Sequence, residues 1–492
     1  MKITLIQPQK KKSGIIAEES WNLTRPFSLF YLAASIEKNT DCLVEIVDFE
    51  QQIYNNDNRK IDDKIKNTDS EIFGITCTTF TRFEAVEVAQ KIKAYHPESL
   101  IVVGGVHFMF CAEETLQKIS CIDFVVRGEG EKTIISLIEA IKNKTSLNLV
   151  KGITYRDNHK IATNPDADIV EELDDLPIYS EFDWNIYPEY LFGSAEKIKA
   201  ISIMSSRGCP YKCVFCSKAG MKYRLRSPIK VVDEIEYFID KFKISSFNFL
   251  DLTFTANPEH AQKICSEILK RKLKISWWCE SRVNIPLELL DVMKEAGCKS
   301  LVIGVESGSP KILTNISKKV SLEQVVAFCK KCHEVNIECN AYFMFSHPEE
   351  TLDDLEATEE FIFKIRDYIK GYSIQPTMIF PGTEIEKIAK EKKITQPNFS
   401  WYSETKYEIN RELGQFDNIP LFIDKLTHKN MKDFMNGIGI KESTYTVSKL
   451  TFKEIFLKTL NAIVDRKSSV KYIFSIKYIF ELLKRKIVKI FK

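Results

Sequence analysis

Residues 207–216 read RGCPYKCVFC, and this stretch decides how the rest of the chain is interpreted. It follows a short apolar run at residues 200–204, so the pattern predicts a loop that leaves a buried strand. Cys209, Cys213 and Cys216 stand in the spacing C-x₃-C-x₂-C, which is typical of thiolates that hold an iron–sulfur cluster. Three thiolates on a four-iron cluster leave one iron open, as a reactive metal centre requires. A structural zinc site or a chance spacing is less favoured, because no fourth Cys or His follows within the loop.

The sequence around and after the motif alternates strand-like and helix-like segments. One helix is marked by Ser227 as its cap and by Pro228 in its first turn. Apolar runs typical of buried strands lie at residues 200–204, 246–250, 275–279, 300–303, 340–345 and 372–376. Six parallel βα units predict a partial (β/α)₆ barrel of the TIM type over residues 198–400. Its chemistry is expected at the C-terminal ends of the strands.

The first 145 residues predict a separate α/β domain. Short runs rich in Ile and Val alternate with helical patterns and lie at residues 3–6, 43–47, 72–75, 100–103 and 124–126. They predict a Rossmann-like, doubly wound parallel sheet, whose ligands bind at the carboxyl ends of its strands. Residues 146–197 predict a hairpin and an acidic linker, and residues 401–492 predict a helical, basic tail region.

Composition argues against several classes of function. The 492 residues are 44% hydrophobic, which is normal for a globular protein. The formal net charge is +2, whereas a nucleic-acid-binding domain is usually strongly basic. The chain has no apolar run of about 18 residues, which a spanning helix would need, and its start lacks the pattern of a secretory signal. The 13 cysteines are an odd number, which argues against a disulfide framework. These features favour a cytoplasmic protein of more than one domain.

Residues 200–386 resemble the radical S-adenosylmethionine (SAM) superfamily. The resemblance rests on the three-cysteine motif, on the aromatic residue before its last cysteine and on GVESG at residues 304–308. It implies that a [4Fe–4S] cluster on the three cysteines binds SAM through its open iron and, once reduced, cleaves SAM to a 5′-deoxyadenosyl radical. It also assigns SAM contacts to Phe215, Asp251, Arg282, Glu306 and Ser307. Of these, Arg282 is expected to pair with the SAM carboxylate, which suits a guanidinium.

Residues 1–145 resemble the cobalamin-binding domain that precedes some radical SAM domains. The resemblance rests on GGVH at residues 104–107, on RGEGE at residues 127–131 and on the order of the domains. It implies that cobalamin contacts the strand ends at Gln7, Pro8, Thr76, Cys77, Thr78, Gly104, Gly105, His107, Gly128 and Glu129. The D-x-H-x-x-G loop that supplies an imidazole to cobalt is absent, because residues 7–12 read QPQKKK. Cobalamin is therefore expected to lack a histidine ligand from this loop, with His107 lining the pocket for its tail.

Together the two resemblances imply a cobalamin-dependent radical SAM methyltransferase that acts on an unactivated carbon. In that mechanism cobalamin takes a methyl group from one SAM and passes it to a carbon radical that a second SAM has generated. The alternatives are a cyclase or rearrangement enzyme of the same subgroup, a methylthiotransferase-like enzyme with a second cluster, and a non-enzymatic sensor of cobalamin or redox state. No catalytic acid or base is predicted. The expected partners are a flavodoxin- or ferredoxin-type reductant and a small-molecule or lipid-linked substrate.

Two further segments carry distinctive patterns. Residues 472–492 mix apolar residues with basic ones, which predicts a helix that either lies in a membrane interface or packs on the body of the protein. Cys329, Cys332 and His333 match the haem c pattern C-x-x-C-H, but they fall in a predicted amphipathic helix that begins near Ser321. We interpret these cysteines as core residues rather than as ligands.

Overall fold

The computed structural model describes residues 1–10, 26–50, 58–157, 160–177, 200–218 and 221–449, the last eleven of these as helix backbone only. The chain divides into two compact units, residues 1–426 and the segment from residue 427 onward. Two sheets, both in the first unit, dominate the described fold.

The first sheet contains seven strands in the order β2-β1-β3-β4-β5-β6-β7. The first five pair in parallel, and the last two add an antiparallel hairpin to the edge at β5. The strands are β1 (Lys2–Gln7), β2 (Leu43–Asp48), β3 (Ile72–Thr76), β4 (Leu100–Gly104), β5 (Phe124–Val126), β6 (Ile153–Asp157) and β7 (Lys160–Thr163). The predicted doubly wound parallel sheet is therefore confirmed. The predicted hairpin extends this sheet, and its residues Ile153 and Tyr155 bury their side chains.

Helices cover this sheet, as its buried parallel strands require. They are α1 (Phe27–Asn39), α2 (Asn58–Lys66), α3 (Arg82–Tyr95), α4 (Val106–Phe110), α5 (Ala112–Lys118) and α6 (Gly130–Asn143). Helix α1 packs on α6, and α2 packs on α3. The strand order reverses between β1 and β3, and such a switch point opens a crevice at the carboxyl ends of the strands. Gln7 and Thr76 end the two strands that border this crevice.

The second sheet contains six strands, all parallel, in the order β15-β14-β13-β12-β11-β8. These strands are β8 (Ala200–Ile203), β11 (Ser246–Phe249), β12 (Ser276–Ser281), β13 (Cys298–Glu306), β14 (Glu338–Phe345) and β15 (Gly371–Pro376). Its two edge strands, β8 and β15, do not pair with each other. The predicted partial (β/α)₆ barrel is therefore confirmed, and each predicted strand is present.

A short antiparallel ribbon, β9 (Ser206–Arg207) with β10 (Arg224–Leu225), follows the first barrel strand. The helices after it are α7 (Pro228–Phe242), α8 (Pro258–Lys270), α9 (Leu289–Glu295), α10 (Pro310–Asn315), α11 (Leu322–Glu334), α12 (Leu352–Ile365), α13 (Glu384–Glu391) and α14 (Glu408–Glu412). Helix α11 starts with a capping box at Ser321 and buries Cys329 and Cys332 completely. The haem-like spacing is therefore a helical core pattern, as expected.

The second unit begins with helix α15 (His428–Lys449). The segment at residues 472–492, for which the sequence predicts a basic helix, lies outside the described residues. Among the helices that the structure describes, none combines the length and the apolar character that a membrane span would need.

Candidate active site

The three cysteines of the motif are held on a tight loop at the mouth of the barrel. Gly208 begins the loop with φ +86°, and a side chain there would collide with the carbonyl of Lys222, which lies just before β10. The Cys209 backbone N–H donates to the Met221 carbonyl at 3.3 Å, and the Cys216 N–H donates to the Cys213 carbonyl at 3.1 Å. The loop therefore turns back on itself, and its cysteines face one space.

That space is a cavity of about 460 Å³ at the C-terminal ends of the barrel strands. Cys209, Cys213 and Cys216 all line it. Burial raises the pKa of the Cys216 thiol, and the neighbouring Cys213 and Cys209 raise it further. Within the described ranges, no set of three or more His, Cys, Asp or Glu side chains lies close enough to chelate one metal ion. Three thiolates on one loop fit a cluster, which offers a separate iron to each of them.

Arg282 lies directly against the cysteine loop and is 5% exposed. Its guanidinium stacks on the Tyr211 ring at 3.9 Å, and Nη1 donates to Cys213 Sγ at 3.8 Å. Nε donates to Asn284 Oδ1 at 3.2 Å, and Nη2 donates to the Lys318 carbonyl. Arg282 lines the cavity, but protein acceptors already engage three of its nitrogens, so its contact with a SAM carboxylate stays a prediction.

Glu306 forms a buried ion pair at the end of β13. Its Oε1 lies 2.7 Å from Lys318 Nζ, and both side chains are 8% exposed. Glu306 has φ +74°, and the register between β13 and β14 shifts at this point. The pair folds over Gly304, where a side chain would collide with the Glu306 carboxylate. Glu306 and Lys318 line the cavity together, so a charged pair faces the space in front of the cysteines.

Two other predicted SAM contacts are bonded to protein groups. Asp251 accepts hydrogen bonds from the backbone N–H of Ser205 at 3.0 Å and from its hydroxyl at 2.7 Å. Burial is the largest cause of a raised pKa at this carboxyl. The Ser307 hydroxyl lies 3.1 Å from that of Thr358 and is fully buried. Phe215, Arg282 and Glu306 thus line the cavity, whereas Asp251 and Ser307 are absent from its lining.

At the other predicted site, the ends of β3 and β4 are tied together. Gly105 has φ +95° and ψ 175°, a conformation essentially restricted to glycine. A side chain there would lie 2.5 Å from the Cys77 carbonyl oxygen, and the His107 N–H donates to that oxygen at 3.4 Å. Thr76 pairs in register with Gly104. The structure therefore brings together the predicted cobalamin residues 76–78 and 104–107 at the carboxyl ends of β3 and β4.

His107, just after the carboxyl end of β4, is fully buried. Its Nδ1 lies 3.2 Å from Thr79 Oγ1, and its ring packs edge-on against Trp401 and Tyr402, with centroids 5.9 Å apart in each case. Nε2 has no hydrogen-bond partner among the described residues. Burial and the nearby Arg82 charge lower the pKa of the imidazole to about 3. His107 is therefore neutral at physiological pH, and its predicted contact with a cobalamin tail stays a prediction.

Glu129 connects the first sheet to the cysteine loop. It accepts from Arg224 Nη1 at 3.0 Å and from the Val170 N–H at 3.1 Å, and Arg207 lies 3.7 Å away. Arg207 also donates to Glu131 at 2.8 Å. Burial alone would raise the pKa of Glu129, but the Arg224 hydrogen bond and the Arg207 charge outweigh it and hold the pKa below its ordinary value. We call Glu129, Glu131, Arg207 and Arg224 the ionic joint.

Several site residues escaped the sequence interpretation. These residues are Lys318, Tyr211 and the arginines of the ionic joint. Each contacts a residue that the sequence singled out, but the two members of each pair lie far apart in the chain. Glu280 did leave a signal. It is the one charged residue of the strand sequence SWWCES, and it alternates with the buried Trp277 and Cys279, which places it on the opposite face of the strand.

Sequence comparisons agree with this geometry. Residues 203–362 match the Radical SAM superfamily, and residues 15–138 match the B12 binding domain. An uncharacterized methyltransferase of Pyrococcus horikoshii is 33% identical over 400 residues, a match that covers 79% of this chain and 83% of the relative. An anaerobic magnesium-protoporphyrin IX monomethyl ester cyclase of Rubrivivax gelatinosus is 28% identical over 73% of this chain and 65% of the cyclase. The match thus spans slightly less than two thirds of the cyclase.

The structural comparison agrees on the fold. The radical SAM methyltransferase TsrM from Kitasatospora setae, solved with cobalamin and a [4Fe–4S] cluster, superposes with a TM-score of 0.67 and 16% identity over 99% of both chains. The chain therefore belongs to the radical SAM superfamily. Within it, the chain falls in the subgroup that carries a B12-binding domain. It is an enzyme, and its cofactors are a [4Fe–4S] cluster, SAM and cobalamin.

Proposed function

We propose that this enzyme transfers a methyl group from cobalamin to an unactivated carbon of a small-molecule or lipid-linked substrate. The observation that carries the proposal is the cavity, which combines three cysteines with a charged Glu306–Lys318 pair, in a chain that also has a B12-binding domain. When bound, the cluster supplies an electron for SAM cleavage, and cobalamin carries the methyl group. The methyltransferase of Pyrococcus horikoshii supports methyl transfer over the other outcomes.

The residues of the chain would act by binding and by excluding water. Cys209, Cys213 and Cys216 would hold the cluster through their thiolates. Phe215 would pack beside SAM, while Glu306, fixed by Lys318, would accept hydrogen bonds from it. Asp251 and Ser307 would act indirectly, because their hydrogen bonds hold the loops after β8 and β13 in place. At the first sheet, the carboxyl ends of β3 and β4, next to Gly105, would hold cobalamin.

A cyclization or rearrangement is the second candidate, because cyclases are among the relatives that match most of this chain. It would use the same cavity and the same SAM cleavage. A methylthiotransferase-like enzyme would need a second cluster. Cys77 packs in the hydrophobic core of the first sheet and Cys111 in a neighbouring apolar cluster, as core cysteines do. A non-enzymatic sensor would have no need for the charged pair in front of the cysteines.

The remaining assignments concern partners and organisation. We propose a flavodoxin- or ferredoxin-type reductant, a cytoplasmic location and no nucleic-acid partner. The segment at residues 472–492 is proposed as a peripheral membrane contact, which would suit a lipid-linked substrate. We also propose four parts along the chain, namely residues 1–145 for cobalamin, 146–197 as hairpin and linker, 198–400 as the radical SAM barrel and 401–492 as the basic tail region.

The test is anaerobic reconstitution with iron, sulfide and cobalamin, followed by metal analysis and incubation with SAM and a strong reductant. We expect about four irons and one cobalt per chain, together with 5′-deoxyadenosine. The Cys213→Ala variant should lose the iron and the 5′-deoxyadenosine, whereas Cys121→Ser, in the turn before β5, should keep both. Iron without cobalt would remove methyl transfer from the proposal. Wild-type protein without iron would overturn the proposal as a whole.

A further inference from the structure

The cysteine loop has an outer face in addition to the face that lines the cavity. Pro210 and Lys212, which stand between the first two cysteines of the motif, are exposed to solvent. The next residue, Cys213, is buried and lines the cavity. One step along the chain therefore leads from the cluster site to the protein surface.

The turn that follows helix α10 packs against this loop. The Val214 N–H donates to the Ile316 carbonyl at 3.2 Å, which ties the two segments together. Ser317 and Lys319 have φ +56° and +51°, so the chain bends sharply here, and Lys319 is exposed. We call Lys212 and Lys319 the surface lysines.

Arg282 joins both lysine-bearing segments to the cysteines. Its Nη2 donates to the Lys318 carbonyl in the turn, and its guanidinium stacks on the Tyr211 ring at 3.9 Å. Its Nη1 donates to Cys213 Sγ at 3.8 Å. Each surface lysine follows directly after a residue that Arg282 contacts, so the two lysines belong to one surface beside the cluster site.

The surface lysines carry charges that are not already paired. Neither forms an ion pair or a hydrogen bond within the described ranges. Glu323, the acid closest to Lys319 in sequence, interacts with Lys364 on helix α12. By contrast, Lys222, beside the start of the loop, pairs with Glu171 at 2.7 Å. Unpaired positive charges on a surface raise the rate at which a negatively charged partner associates.

We propose that the surface lysines mark the docking surface for a small acidic protein that carries single electrons and reduces the cluster. Electron-transfer interfaces are small and short-lived, so a few charges are enough to orient the partner. The inference rests on the proposed function and adds to it the place at which the reductant binds. One electron passes per encounter, so the carrier is oxidised by one electron and the cluster is reduced by one. With a flavodoxin as carrier, the anionic flavin hydroquinone becomes the neutral semiquinone, and no proton is lost.

The experiment compares wild-type protein with the double variants Lys212→Glu/Lys319→Glu and Lys212→Gln/Lys319→Gln, all loaded with cluster and cob(II)alamin and free of SAM. The control is Lys274→Glu/Lys299→Glu, because these lysines are also exposed but lie at the opposite, N-terminal ends of β12 and β13. The probe is an acidic flavodoxin in its hydroquinone form. Stopped-flow absorption follows the semiquinone at low and high salt, and electron paramagnetic resonance of samples frozen along the same time course identifies the reduced cluster. Calorimetry of the oxidised proteins measures the affinity.

At low salt, the flavodoxin should reduce the Lys212→Glu/Lys319→Glu variant about tenfold more slowly than the wild type or worse, and should bind it more weakly. The rate for the wild type should fall as salt rises, whereas the glutamine variant should be slower at low salt and less sensitive to salt. The control variant should match the wild type. The inference is overturned if neither salt nor charge reversal changes the rate. It also fails if dithionite reduces the cluster of the wild type and the flavodoxin does not.

The proposed function has separate readouts. Iron content, the extent of cluster reduction by dithionite and the 5′-deoxyadenosine formed from SAM with dithionite require no protein partner, and all four proteins should give equal values. Protein that passes these measurements while charge reversal leaves the flavodoxin rate and affinity unchanged refutes the docking surface alone. Wild-type protein without iron or without 5′-deoxyadenosine refutes the proposed function instead.

Discussion

The two cofactor regions differ in how the chain supplies their residues. At the barrel mouth, one loop of ten residues carries all three cysteines, and the surrounding side chains converge on it. At the first sheet, the predicted cobalamin residues come from several separate strand ends, and some of them, among them His107 and Glu129, contact protein groups. The cluster region is therefore defined by a local motif, whereas the cobalamin region is defined by a crevice in the sheet.

The largest expected effect concerns the charged pair in front of the cysteines. Lys318→Met should leave the Glu306 carboxylate buried without a partner and destabilise the protein by about 3–5 kcal/mol. The double variant Lys318→Met/Glu306→Gln should regain most of that loss, because neither position of the pair then carries a charge. Urea unfolding of the apoprotein measures both. Equal destabilisation in the single and double variants would mean that the pair does not govern stability at the barrel mouth.

At the first sheet, the corresponding prediction concerns backbone rather than charge. Gly105→Ala should destabilise the protein by about 2–3 kcal/mol, because it strains the backbone and brings a side chain against Cys77. Gly414→Ala is the matched control, since Gly414 also has positive φ but has open space around it. It should lose only about 1–2 kcal/mol. We expect cobalt retention to fall in Gly105→Ala while iron content stays constant, and a parallel loss of iron would show that the two regions are not independent.

The ionic joint should give a smaller effect with a characteristic pH dependence. Glu129→Gln should destabilise the first unit by about 1–3 kcal/mol at neutral pH, because Arg207 and Arg224 lose a buried anion. The pKa of Glu129 is lowered in the folded state. The advantage of the wild type should therefore be complete above the ordinary glutamate pKa of about 4.3, and it should vanish as the pH falls through the lower folded value. Thermal unfolding at several pH values tests this, and an advantage independent of pH would contradict it.

The smallest expected effect concerns the cluster itself. Arg282→Gln removes a cation whose Nη1 lies 3.8 Å from Cys213 Sγ, so the more negative, reduced cluster should lose about 1 kcal/mol of stabilisation. The midpoint potential should move to a more negative value, and Arg282→Lys should restore part of the shift. A redox titration followed by electron paramagnetic resonance measures it. Arg271→Gln, just after the outer helix α8, serves as the control, and identical potentials in all variants would assign Arg282 a packing role only.

The sequence predicts much of this molecule, and the limit has a physical reason. Both parallel sheets and the cysteine loop follow from local patterns, because periodicity and short spacings are properties of neighbouring residues. Lys318 lies 12 residues after Glu306, beyond helix α10, and Glu129 meets Arg224 across 95 positions. Such pairs depend on how strands and loops are stacked, which no local pattern encodes. The same limit explains why Asp251 and Ser307 could be singled out without their hydrogen-bond partners.

The ionic joint also bears on the order in which the enzyme is assembled. Arg207 stands two residues before Cys209, and its carboxylate partners follow the last parallel strand of the first sheet. A ligand that orders one side of the joint must favour ordering of the other, and thermodynamic linkage makes this influence reciprocal. We therefore expect cobalamin loading to slow the release of iron and cluster loading to slow the release of cobalamin. A half-loaded enzyme would then be the least populated state, so the two cofactors would be gained and lost together.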